Sequence, residues 1–254
     1  MLMIIVIASL ILPTVLHASS VSAQPSLAPG PPSHASAQPS ALILSPISTF
    51  DPWRPEDLAM IQNSLIQAGY SVTDLENTSV TLNLITTQLN NYNIVIWRTQ
   101  VYEQNHITYF YVGQLNDPTT QQSYASDFAS GSLDASNGIL GASVDFFANH
   151  FAQGSLSNVK LFVLISSMSD SLGSILLNAG AASIIEFTGV FSMQYAFADD
   201  IATGIIEYLA QGNSVANAVS NTIGPFQTMI LEDPLDSTNI PNVAYTGDST
   251  VTIT

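Results

Sequence analysis

Tyr92-Asn-Ile-Val-Ile-Trp-Arg-Thr99 sets four β-branched or aromatic residues in succession, Ile94 to Trp97, behind the turn-forming pair Asn90-Asn91. The run has the length of a strand and does not alternate, which is the pattern of a strand buried on both faces of a sheet. Its neighbours repeat an alternation of strand and helix. Upstream, residues 81–89 place Leu82, Ile85 and Leu89 on one helical face, and residues 70–75 form a strand. Before these, residues 56–68 carry Leu58, Ile61, Leu65 and Ile66 at spacings of three and four. Asp51 or Pro55 can open that helix and Gly69 can close it. Residues 41–47 supply the first strand.

Downstream, the spacing predicts a hairpin arm over 108–112 and long loops over 116–141, where Gly, Ser, Asp and Asn are dense. A helix over 143–151, a strand over 159–165, a helix over 171–179 ended by Gly180 and a strand over 183–187 follow. Helices over 199–210 and 214–223 flank Gly212, and the alternating tail, 245–253, reads as an edge strand. This order implies an α/β fold, a three-layer αβα sandwich with a mostly parallel central sheet, formed by one domain over 41–254. In such sheets ligands gather beyond the carboxyl ends of the strands. The places to inspect are therefore 98–101 and 166–171.

Composition narrows the function classes. The chain has 19 Asp or Glu against three cations, Arg54, Arg98 and Lys160, for a formal net charge of −16. Three cations cannot neutralise a phosphate backbone, so no nucleic-acid partner is expected. Cysteine is absent, which removes disulfides, a thiolate nucleophile and thiolate-held metals. Only 9% of residues are charged and 46% are hydrophobic, which is a cored protein with a neutral polar surface rather than an acidic disordered chain. Few ion pairs also suit an acidic exterior.

Residues 1–23 read as a signal peptide. The apolar run Leu2-Met-Ile-Ile-Val-Ile-Ala-Ser-Leu-Ile-Leu-Pro-Thr-Val-Leu16 is followed by Val21-Ser22-Ala23, whose small residues suit cleavage after Ala23. Retention as an N-terminal anchor is the alternative, and only then is a membrane partner expected. Residues 24–40 hold five prolines and no charge, a semi-extended Pro/Ser/Ala-rich linker. The expected location is secreted or at the cell surface.

Three stretches resemble the caspase-like fold of clan CD peptidases, shared by caspases, gingipain-type peptidases and CHAT domains. Residues 92–99 are similar to the strand that delivers the family's catalytic His. Val159-Lys-Leu-Phe-Val-Leu-Ile-Ser-Ser-Met-Ser-Asp-Ser171 is similar to the strand that delivers its Cys. Leu176-Leu-Asn-Ala-Gly-Ala-Ala-Ser-Ile-Ile-Glu-Phe-Thr188, followed by Leu209-Ala-Gln-Gly-Asn-Ser-Val-Ala-Asn-Ala218, is similar to the helix, strand and helix that come next. The resemblance implies the fold over 41–248 and places Gln100 at the His position and Ser167 or Met168 at the Cys position. A Gln accepts no proton at neutral pH, and a Ser hydroxyl without a base is a weak nucleophile. With the expected signal peptide, the resemblance therefore implies an exported pseudopeptidase that binds a protein or peptide ligand. The alternative is a hydrolase, peptidase or esterase, using Ser167 with His106 as base and Glu103 or Asp170 as orienter.

Other residues carry weaker signals. Arg98, at the end of the best strand, suits bidentate capture of a ligand carboxylate, or an internal ion pair with Asp74, Glu186 or another acid. Ser169 and Asp170 lie beside it as binding candidates. No cofactor is expected. Glu103 with His106, Asp199-Asp200 with Glu207, and the dispersed Asp117, Asp127 and Asp134 do not make a recognisable metal site, and Asp199 and Asp200 read as first-turn helix charge. Asn77-Thr78-Ser79 is a glycosylation sequon. Tyr109, Phe110 and Tyr111 read as a packed hairpin face.

Overall fold

The computed structural model describes residues 38–167, 169–188, 195–232 and 242–254. The expected signal peptide, the expected linker up to residue 37 and Met168 lie outside the described residues. No helix among the described residues is long and apolar enough to cross a membrane.

The first half is built as the periodicity predicts. Strand β1 (Ser40–Ser45) leads to α1 (Pro55–Gln67), β2 (Ser71–Glu76), α2 (Leu82–Thr87) and β3 (Ile94–Arg98). Pro55 occupies the first turn of α1, where its missing N–H costs nothing. Thr81 caps α2 by accepting from the Leu84 N–H at 3.1 Å. Gly69 takes φ +91°, the left-handed turn that ends α1 and reverses the chain into β2.

The segment after β3 contains the expected hairpin arm, within β5, and the expected helix, α5, but departs from the expectation of loops over 116–141. It forms β4 (Val101–Gln104), β5 (Ile107–Leu115), α3 (Pro118–Ser123), α4 (Ala125–Ser130), β6 (Leu133–Ser136), β7 (Ile139–Ser143) and α5 (Val144–His150). The four strands make a separate antiparallel sheet in the order β4-β5-β7-β6. Turn residues at Asn105-His106 and Asn137-Gly138, all four with positive φ, close its tight hairpins. The Gly, Asn and Ser that suggested loops are the turns and small-residue strands of this sheet.

The chain then returns through β8 (Leu161–Ile165), α6 (Asp170–Asn178), β9 (Ser183–Thr188), α7 (Tyr195–Ala210), α8 (Val215–Glu232) and β10 (Asn242–Gly247). Helix α8 runs past its expected end through Pro225. The edge strand is β10, which shares residues 245–247 with the expected strand over 245–253.

The central sheet has the order β10-β9-β8-β3-β1-β2, parallel throughout except for β10, which runs antiparallel to β9. Successive side chains leave it on opposite faces. Leu42, Leu44, Val95, Trp97, Phe162 and Leu164 pack one face against α2, α5, α6 and the inner face of the small sheet. Ile43, Ile94, Ile96, Val163 and Ile165 pack the other against α1, α7 and α8. The fold is the expected α/β sandwich, with the small sheet added to one layer.

Candidate functional site

Strands β3 and β8 are neighbours and in register, Arg98 against Ile165, and the Thr99 N–H continues the ladder to the Ile165 carbonyl at 3.0 Å. Extending that register sets Gln100 level with Ser167 beyond the carboxyl ends of both strands. The two positions singled out by the family resemblance thus share one end of the sheet.

Between β1 and α1 the chain makes a tight turn, with the Phe50 and Asp51 N–H groups both donating to the Ile47 carbonyl. This turn is fastened on two sides. Asn77 accepts from the Thr49 N–H at 2.9 Å and donates from Nδ2 to Ser48 Oγ at 2.7 Å. Ser48 in turn donates to Glu76 Oε2 at 2.9 Å. On the other side Asp51 accepts from Gln100 Nε2 at 2.9 Å and from Arg98 Nη2 at 3.2 Å. Across from the turn, Thr99 Oγ1 donates to the Tyr111 carbonyl at 2.8 Å and the Tyr111 N–H donates to the Gln100 carbonyl at 3.1 Å. These bonds hold β5 over the end of β3.

The result is a cleft of about 270 Å³ lined by Ile47, Phe50, Gln100, Tyr111, Ser136, Asn137 and Ile139. No lining side chain is charged. Phe50 is 73% exposed on this anchored turn. The amide of Gln100 donates to Asp51, and its Oε1 accepts no hydrogen bond among the described residues.

Beneath the cleft lies a buried ion cluster. Arg98, 2% exposed, grips Asp199 with Nε to Oδ1 at 2.7 Å and Nη2 to Oδ2 at 3.1 Å. Its Nη1 donates to the Asp51 carbonyl at 2.6 Å, and the guanidinium carbon lies 5.3 Å from the Trp53 ring centroid. Arg54 pairs with Asp57 at 2.6 Å and also with Asp200. Burial pushes the Asp199 carboxyl up to about 6 against the pull of Arg98, with Asp51 and Asp57 adding to the rise.

This arrangement corrects several expectations. Arg98 is not an arm for a ligand carboxylate, because the protein's own Asp199 fills its bidentate fork. The alternative expectation, an internal ion pair, holds, with Asp199 and Asp51 as the acids. Asp199 and Asp200 are not first-turn helix charge, because α7 begins at Tyr195 and both acids are committed to arginines. Ser169 is fully buried and donates to the Phe187 carbonyl at 2.8 Å, so it fixes the β8–α6 turn to β9 rather than facing a ligand. Asp170 opens α6.

Ser167 is 8% exposed, and no described hydrogen bond links it to an imidazole. His106 sits at the tip of the β4–β5 hairpin with its side chain 99% exposed, 3.6 Å from Glu103. The Ser167–His106 dyad is therefore not formed. His150 pairs with Asp127 at 3.1 Å and stacks on Phe146 at 4.2 Å between centroids. Asp117 caps α3 through the Thr120 N–H at 2.8 Å. Tyr109 and Tyr111 pack under Tyr102 on the outer face of the small sheet, with centroids 5.2 and 4.8 Å away, while Phe110 turns into the core.

No family model matches the chain, and no curated protein matches it. A solved initiator caspase of Drosophila, Dronc, is similar over 84% of this chain and 81% of its own, at 6% identity and TM-score 0.45. A flavodoxin of Streptococcus pneumonia TIGR4 is similar over 72% of this chain and 97% of its own, at 14% identity and TM-score 0.33. The pyridoxal kinase of Staphylococcus aureus is similar over 83% and 99%, at 10% identity and TM-score 0.32.

Sequence reasoning missed Phe50, Asp51, Ser136 and Asn137. A signal existed for the first two. They follow the carboxyl end of β1, and the rule that ligands gather beyond strand ends applies there as much as at β3. Ser136 and Asn137 reach the cleft only because the small sheet folds over, which local pattern does not reveal.

Proposed function

We propose that the chain is an exported, caspase-like α/β domain that has lost peptidase chemistry and holds a segment of a protein or peptide in the cleft between Phe50, Gln100 and Asn137. The observation that carries this reading is the state of Gln100. It lies level with Ser167, where the family resemblance calls for a base, and its amide is tied to Asp51 while the residue lines the cleft. An amide held in this way orients a ligand hydrogen bond and moves no proton. The neutral lining, apolar at Ile47, Phe50 and Ile139 and polar at Gln100, Ser136 and Asn137, matches the mixed walls of binding pockets.

The test is a peptide library displayed against the full-length chain, with selected peptides measured by titration calorimetry. Binding without cleavage, weakened at least ten-fold by Phe50→Ala, is expected. Cleavage of a bound peptide that is lost in Ser167→Ala overturns the reading.

A further inference from the structure

We propose that the chain cuts itself at the Asp51–Pro52 bond, with the Asp51 side chain as nucleophile and Arg98 as the group that meets the charge on the carbonyl oxygen. This goes beyond the binding reading above and does not depend on it. The sequence holds three Asp-Pro bonds, at 51–52, 117–118 and 233–234. Their chemistry is shared. A proline nitrogen in a peptide bond carries no hydrogen, takes up a proton more readily than an ordinary amide nitrogen, and so leaves more easily. Only the surroundings differ, and those of the third lie outside the described residues.

At Asp51 the surroundings assemble a reaction. Arg98 Nη1 donates to the Asp51 carbonyl at 2.6 Å and lies 3.2 Å from Oδ2 of the same residue. One nitrogen thus holds nucleophile and target together. Arg98 Nη2, 3.2 Å from Oδ1, and Gln100 Nε2, 2.9 Å from Oδ2, fix the carboxylate further. Beyond the bond, Trp53 is pinned by Nε1, which donates to Ser45 Oγ at 2.8 Å. Pro52 is exposed, so water reaches it. Asp117 shows the contrast. Its Oδ1 accepts from the Thr120 N–H at 2.8 Å and its carbonyl from the Gln121 N–H at 2.9 Å, so both groups are turned into the first turn of α3.

An oxygen of the Asp51 carboxylate attacks the Asp51 carbonyl carbon and closes a five-membered ring. Negative charge gathers on the carbonyl oxygen, against the guanidinium. The C–N bond breaks, its electron pair stays with the Pro52 nitrogen, and that nitrogen takes a proton from solvent. One water then opens the cyclic anhydride, leaving Asp51 as a carboxyl terminus and Pro52 as a free amine. The pieces stay together, because β1 remains paired with β2 on one side and β3 on the other. Residues 1–51 are thereafter joined to the rest without a covalent bond.

The test is intact-mass measurement of the full-length chain after days at about pH 5, in buffer and in concentrated urea. In buffer, two pieces that meet at 51–52 and sum to the parent plus one water are expected to form at least ten-fold faster than pieces that meet at 117–118. In urea the two bonds are expected to break at similar rates. Ten-fold dilution is expected to leave the rate in buffer unchanged. Pro52→Ala, at an exposed position that leaves the bonds at Arg98 in place, is expected to slow the cut at least ten-fold through the poorer leaving group. Asp51→Glu, which keeps the charge but requires a six-membered ring, is expected to do the same. Breakage at 51–52 no faster than at 117–118 in buffer, a preference that survives unfolding, or a rate that rises with chain concentration overturns the inference.

Discussion

The two nitrogens Nε and Nη2 of Arg98 meet the two carboxylate oxygens of Asp199 side by side, on groups that are 2% and 1% exposed. One comes from the end of β3, the other from the second turn of α7, so this pair ties a helix of the outer layer to the central sheet. Removing the cation leaves Asp199 buried beside Asp51 with nothing to balance it. Arg98→Met should therefore destabilise the fold by about 3–5 kcal/mol in denaturant titration. Adding Asp199→Asn to that variant should restore part of the loss, because the remaining buried charge is gone.

The same carboxyl sets a pH dependence. Asp199 has its folded-state value raised to about 6, by burial first, and Asp74 is raised by burial and then by Glu76. A carboxyl raised above its unfolded value binds more protons folded than unfolded, so its contribution to stability grows as pH falls through that window and is lost as pH rises past about 6. The melting temperature should be higher near pH 5 than at pH 7, and Asp199→Asn should flatten the difference. A melting temperature that falls steadily from pH 7 to 5 would contradict this, and with it the suggestion of an acidic exterior.

At Ser167 the expectation is chemical silence. A fluorophosphonate reporter labels serines whose hydroxyl is activated by a base. His106 is at a hairpin tip and His150 is bound to Asp127, so Ser167 should remain unlabelled by intact-mass measurement.

Asn77 should matter more as an anchor than as a glycan acceptor. Its side chain makes hydrogen bonds to Ser48 and Thr49, and its φ of +48° suits Asn better than most residues. Asn77→Ala should cost about 1–3 kcal/mol and raise hydrogen exchange over residues 47–51. Gly113→Ala should be at least as damaging, since a Cβ there would sit 2.2 Å from the Asn77 carbonyl oxygen and Gly113 has φ +77°.

The parallel strands were legible because each is a short apolar run between turn residues, and helices such as α1 and α6 because their apolar spacing is helical. Of the small sheet only the arm over 108–112, within β5, was legible. Its strands mix Gly, Ser and Ala with few β-branched residues, as in Ile139-Leu-Gly-Ala-Ser143, so local propensity points to loop while packing on Phe147 and Trp97 decides otherwise. Gln100 and Ser167 were placed together by family resemblance and strand order. Asp51 and Asp199 were not joined to Arg98, because pairs 47 and 101 residues apart leave no trace in spacing.

Ser136, Asn137 and Ile139 belong to the β6–β7 hairpin, whose backbone takes no part in the central sheet. Two walls of the cleft thus have different histories open to them. The turn at Ile47 to Asp51 is locked to Arg98 and can change little without unfolding the protein. The hairpin can lengthen, shorten or exchange its tip at small cost, so descendants of this chain are free to change what they hold while keeping the frame that holds it.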